Sequence, residues 1–173
     1  MRREKIFIVD GYNVIHKVAE WSRLLDRLES ARNALIRYCQ ECMAMRGDVD
    51  RFIVVFDGDS SVEGGYGQSG GGVHVVFSES GESADDRILK LLALAGKGAN
   101  ATVVTEDNYV KRGVRVEGGR AMTVRAFREM GKRSGGAGLD GGGMQGGVDT
   151  KTRLSPKQVK DLNKSLMSEW GLE

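Results

Sequence analysis

Four short apolar runs constrain this chain more than any other feature: Lys5 to Val9, Phe52 to Phe56, Val73 to Phe77 and Ala101 to Val104. None alternates apolar with polar residues, so each reads as a strand covered on both faces, the mark of a parallel sheet. Stretches with helical periodicity lie between them. Residues 30–45 place Ala34, Leu35, Tyr38, Cys42 and Met45 roughly on one face, with Ser30 as the cap. Ser83 caps a second helix running to Ala95, whose core stripe is Ile88, Leu91, Leu92 and Ala95. A shorter pair of elements follows near Val114–Val116 and from about Gly119 to Met130. Strands alternating with helices predict an α/β fold with a mainly parallel central sheet flanked by helices.

Glycine then divides the chain. There are 25 glycines against one proline, and 15 of the 25 fall within residues 64–72 and 131–147. Such stretches lose much backbone entropy on ordering and bury little. The expected organisation is a domain over 1–133, with a mobile loop at 64–72, a flexible Gly-rich linker over 134–152 and an amphipathic helix over 153–173. Ser155-Pro156 suits a helix start, and Val159, Leu162, Leu166 and Trp170 form its apolar stripe. A helix this short is marginal alone, so it is expected to dock on its own domain or on a second copy, as a homo-oligomer contact. Neither glycine stretch contains a phosphate-binding G-x-x-x-x-G-K-[ST] sequence.

Several classes are excluded or disfavoured. No window approaches the ~18 uncharged apolar residues of a membrane span. The segment after Met1-Arg2-Arg3-Glu4 is too short for a signal-peptide core, so a cytoplasmic location is expected. Cys39 and Cys42 form a C-x-x-C inside a predicted helix without a second pair, which reads as packing rather than a zinc site. His16 and His74 read as structural, and no G-x-S-x-G or partnered histidine supports nucleophilic catalysis by serine.

Chemistry gathers at the strand ends. Asp10 follows the first run and Asp57 the second; Asp107 comes shortly after the fourth, and Asp85 and Asp86 open the helix after the third. The carboxyl ends of parallel strands share one edge, where ligands bind. Glu79, Glu82 and Glu106 lie near enough in sequence to contribute. One aspartate after a strand is an ordinary turn residue. Several converging carboxylates repel one another unless a cation neutralises them, which points to a hard divalent ion, Mg2+ or Mn2+. The member of the Asp85/Asp86 pair that faces the pocket is expected to be the one opposite the Ile88/Leu91/Leu92 stripe.

Asp10-Gly11-Tyr12-Asn13 after an apolar strand resembles the signature of the NYN domain, a branch of the PIN-like nucleases. Val54-Val55-Phe56-Asp57, Glu82-Ser83-Ala84-Asp85-Asp86-Arg87-Ile88 and Val104-Thr105-Glu106-Asp107 are similar to elements of its bacterial YacP-like subgroup, in order over about residues 4 to 130. The resemblance implies a PIN-like fold and a metal-dependent endoribonuclease, with relatives that act on messenger RNA at the ribosome. It implies Asp10, Asp85 and Asp107 as metal-site carboxylates, Asp57 and Asp86 as further acids, and Asn13 as a group that orients a water or a phosphate.

The net charge is only +2, so single-stranded RNA must be met by a local patch. Lys111, Arg112, Arg115, Arg120, Arg125 and Arg128 supply one, with Lys132 and Arg133 beyond them. Tyr12, Tyr66 and Tyr109 are candidates for stacking on bases, with Tyr12 read mainly as packing beneath its motif. Two other readings stand beside the nuclease. One is a haloacid-dehalogenase-type phosphatase with Asp57 as nucleophile in a D-x-D with Asp59. The other is a catalytically silent RNA-binding module.

Overall fold

All four apolar runs are parallel strands in a computed structural model that describes residues 3–58, 72–97 and 99–133. They are β1 (Lys5–Asp10), β2 (Arg51–Phe56), β3 (Val73–Phe77) and β4 (Asn100–Val104), joined by a short edge strand β5 (Arg120–Met122). The five strands lie in the order β3-β2-β1-β4-β5, every pair parallel. The expected loop within 64–72 falls almost wholly outside the described residues, as do the linker over 134–152 and the helix over 153–173.

Because side chains alternate along a strand, each apolar run feeds two cores. Phe7, Val9, Phe52 and Val54 face one layer, containing α1 (Gly11–Lys17), α2 (Ala19–Ser22), α3 (Leu28–Met45) and α6 (Val124–Arg133). Ile6, Ile8, Ile53 and Val55 face the other, made of α4 (Ala84–Ala95) and α5 (Asn108–Val116). Cys39 and Cys42 are free thiols buried in the first core, in accord with a packing role.

Two local expectations are corrected. The third helix begins at Leu28 after Arg27, so Ser30 lies inside its first turn rather than capping it. Val114–Val116 is the last turn of α5 rather than a separate element. That helix buries only Val110 and Val114, a spacing of four hidden among polar residues, and its start is marked by Asp107 as N-cap. The chain also turns helical immediately after Asp10, in α1, which buries Val14 and Ile15.

The strand order fixes where a ligand crevice opens. From β1 the chain leaves through α1–α3 on one face toward β2; from β4 it leaves through α5 on the opposite face toward β5. The connections diverge between β1 and β4, and their carboxyl ends form the topological switch point of the sheet.

Candidate functional site

Asp10 is the last residue of β1, beside that switch point, and is only 5% exposed. The turn after it is tight, because a Cβ on Gly11 would run into the Phe56 ring and lie 2.8 Å from the Val55 carbonyl oxygen. Thr105, fully buried just past β4, donates its hydroxyl to Asp10 Oδ2 at 3.1 Å. The same Oγ1 accepts the Asp107 N–H at 3.0 Å, so one side chain ties two acids together. Asn13 Oδ1 accepts the Glu106 N–H at 2.9 Å, binding the start of α1 to the loop after β4. Among the described residues, the Asn13 side-chain NH2 makes no hydrogen bond, which leaves it able to donate to a ligand.

Asp107 serves partly as the cap of α5, its Oδ1 accepting the N–H groups of Tyr109 at 2.7 Å and Val110 at 3.1 Å. Asp85, in the first turn of α4, is half-buried, while Asp86 is exposed. Burial pushes the Asp10 carboxyl up to about 6; the charges of Asp85 and Asp107 add to the rise, and bonds from Thr105 and the Asn13 N–H oppose it. Asp85 is raised in the same way, by burial first and then by Asp107, Asp57 and Asp86. Asp10, Asp85 and Asp107 are thus held near enough to repel one another.

Of the two acids that the sequence left open, Asp85 is the one whose charge reaches Asp10 and Asp107, although it is not the one opposite the helix stripe. Asp86 is opposite Ile88 and Leu92 and points to solvent; Asp85 lies on the flank of the core face. The N-terminus of α4 sits at the sheet edge where the strands end, so the core-facing side and the crevice-facing side nearly coincide.

The other acids have different occupations. Asp57 Oδ1 accepts the Ala84 N–H at 2.6 Å and the Ser78 hydroxyl at 3.5 Å, anchoring the start of α4. Glu106 accepts the Val124 N–H at 2.8 Å and pairs with Lys111 at 3.1 Å. Those two partners, the backbone bond first, hold its carboxyl below the usual range. Glu82 pairs with Arg87 at 2.9 Å and Lys90 at 2.7 Å, and Glu79 with Arg87 at 3.2 Å. These glutamates are neutralised by protein cations; among the described residues, Asp10 and Asp85 have no such partner.

Among the described residues, no group of three His, Cys, Asp or Glu side chains stands ready to hold a metal ion. The donors nevertheless suit a hard cation in kind, because Mg2+ takes one or two carboxylates, keeps several waters and leaves the remaining positions to substrate phosphates. Raised carboxyls that repel one another are the electrostatic counterpart of that chemistry.

The basic residues do not form one patch. Lys111, Arg112 and Arg115 are on α5, Arg120 is on the edge strand, and Arg125 and Arg128 are on α6 against the opposite face of the sheet. Lys111 is paired with Glu106, and Arg125 with Glu129 at 3.2 Å. Arg128 pairs with Glu20 at 3.1 Å and lies over the rings of Trp21 and Tyr38 at 4.8 and 4.9 Å, a structural placement. Tyr12 packs on Phe56 at 5.0 Å and accepts a 2.7 Å hydrogen bond from Arg32 Nε. Arg32 went unnoticed in the sequence, yet it is buried among the rings of Tyr12, Phe56 and Phe77. Its spacing of three from Leu35 and seven from Cys39 put it on the core face of α3. Tyr66 and Asp59 lie outside the described residues.

The model of the YacP-like NYN domain matches residues 7–166. The uncharacterised protein YacP of Bacillus subtilis (strain 168) is 33% identical over 111 residues, 62% of this chain and 62% of that protein, so the match spans less than two thirds of the relative. The crystal structure of a single-substitution variant of Rae1 (YacP) from Bacillus subtilis superposes with a TM-score of 0.62 at 29% identity, covering 75% of this chain and 76% of the other. A second crystal structure of Rae1 (YacP) gives a TM-score of 0.63 at 24% identity over 95% and 83% of the two chains, a likeness of fold.

Proposed function

The chain belongs to the YacP-like NYN domain family, and from that premise we propose that it is a metal-dependent endoribonuclease that hydrolyses internal phosphodiester bonds of RNA. The observation that carries the reading is Asp10: a carboxylate buried at the switch point, raised to about 6 and facing the like charges of Asp85 and Asp107. Capping accounts for the place of Asp107 but not for the burial of Asp10 against two like charges. A bound divalent cation satisfies them.

In this reading Asp10, Asp85 and Asp107 hold Mg2+ or Mn2+, which supplies activation of water and neutralisation of a phosphodiester for in-line attack. Thr105 fixes the Asp10 carboxylate and the Asp107 backbone relative to each other. Asn13, with its oxygen committed to Glu106, offers its NH2 to a phosphate oxygen. Asp57 holds the first turn of α4, and Asp85 with it, in place. A covalent role for Asp57 fits less well, since one of its oxygens already accepts two hydrogen bonds. The substrate proposed is single-stranded messenger RNA, met in the cytoplasm and presented at the ribosome, as the family resemblance implies. Among the described residues no helix is long and apolar enough to cross a membrane.

Labelled single-stranded RNA incubated with the purified protein tests this directly. Internal cleavage with Mg2+ or Mn2+ and none with EDTA is expected. Attack by water leaves the ribose 2′-hydroxyl unused, so the products carry no 2′,3′-cyclic phosphate. RNA that survives both metals would leave a binding module, and phosphomonoester turnover lost in Asp57→Asn would indicate a phosphatase.

A further inference from the structure

The exposed face of α5 starts at the acid cluster. Tyr109 is 60% exposed and Val116 is 76% exposed, whereas Val110 and Val114 on the other side of the helix are buried. Helical spacing puts Tyr109, Arg112 and Val116 in one stripe, with Arg115 beside it, over about 10 Å of helix at 1.5 Å per residue. The helix sequence from Asn108 to Val116 contains no acidic residue. Its Lys111 is committed to Glu106, while among the described residues neither Arg112 nor Arg115 enters an ion pair. The Tyr109 backbone is pinned by the Asp107 carboxylate that belongs to the acid cluster. Gly113 packs against Leu89, where a Cβ would meet its methyl groups at 2.5 and 2.7 Å, so the buried side of α5 rests closely on α4.

An exposed aromatic ring in line with two arginines, one turn from a set of carboxylates, fits a polyanion whose bases have free faces. We propose that Tyr109 is the stacking platform that seats an unpaired RNA base beside the acid cluster, with Arg112 and Arg115 meeting the adjoining phosphates. Base stacking on an aromatic side chain tolerates any sequence but requires an unstacked base, which a duplex does not offer. The site therefore takes single-stranded RNA and refuses double-stranded RNA. This inference rests on the ribonuclease reading for the position of the scissile bond, but base stacking is measured apart from cleavage.

The test is fluorescence anisotropy with one labelled oligoribonucleotide, single-stranded and annealed to its complement, in EDTA and again with Ca2+. Tyr109→Ala should weaken single-strand binding about 5- to 100-fold, Tyr109→Phe should stay within about two-fold, and duplex binding should be unchanged in both. Melting temperatures should match the parent, because the ring is exposed. Unaltered single-strand binding in Tyr109→Ala, equal losses on single strand and duplex, or no binding by the parent protein would each overturn the proposal. Tyr109-dependent binding without cleavage in Mg2+ would sink the hydrolase reading and leave the stacking role standing. Cleavage with Tyr109-independent binding would do the reverse.

Discussion

Asp10 and Asp57 look alike in sequence, each closing an apolar parallel strand, yet the fold gives them opposite surroundings. Asp10 ends the central strand where the connections part to opposite faces, and it is buried with its charge opposed by neighbours. Asp57 follows β2, next to β3, and spends an oxygen on the Ala84 N–H and the Ser78 hydroxyl. One residue is held in an unfavourable electrostatic state; the other is a satisfied anchor. What separates them is strand order, which places Asp10 at the switch point facing other acids and Asp57 against the first N–H of α4.

The largest expected effect breaks the pair apart by activity. Asp10→Asn should lower RNA cleavage about a thousand-fold, in the range of lost general-acid/base or electrostatic groups. Asp57→Asn, which keeps the accepting oxygen, should stay within about ten-fold. Equal losses in gel-based cleavage rates would erase the distinction.

Stability should move next, and in the other direction. The folded Asp10 carboxyl lies at about 6 against an ordinary 3.8. A raised group contributes stability that is fully present below its unfolded value and is lost as the pH rises through the folded one. Metal-free Asp10→Asn should therefore match the parent near pH 3.5 and exceed it by up to about 3 kcal/mol at pH 8, at about 1.4 kcal/mol per pH unit. The change falls between about pH 4 and 6. Urea unfolding at both pH values measures it, and adding Mg2+ at pH 8 should narrow the gap by stabilising only the parent. A constant gap across pH would contradict the assigned cause.

Asp57→Ala should cost about 1 to 2 kcal/mol at neutral pH, as for a lost cap at a helix start. The smallest effect is expected at Asp86. Asp86→Asn should change cleavage less than about three-fold, whereas Asp85→Asn should behave like Asp10→Asn. A larger loss at Asp86 would reassign the pocket-facing acid.

The strands were legible because a parallel strand buried on both faces must be written in apolar residues, as Phe52 to Phe56 is. The acids at their ends were legible for the same reason, since the turn after such a strand is where polarity resumes. Helices α1 and α5 were obscured, each burying few apolar residues among many polar ones. The work of Glu106 and Asp57 also stayed hidden, because both bond to backbone groups far away in sequence. Arg32 was legible in principle from its place on the α3 stripe, but a buried arginine among aromatic rings contradicts the usual rule that arginine faces water. The helical wheel could not choose between Asp85 and Asp86, because it knows a core direction and a solvent direction but not the end of a sheet.

The sheet's two cores have a consequence for how damage spreads. Asn13 starts on the layer with Phe52 and Leu35, whereas Asp85 rides on the layer with Ile88 and Val114. The groups proposed for catalysis therefore straddle a seam, with Asp10 and Thr105 on the partition between two separately packed halves. A cavity opened on one side tilts only that half's contribution, so remote lesions should sort into two families that differ in which end of the substrate they misplace.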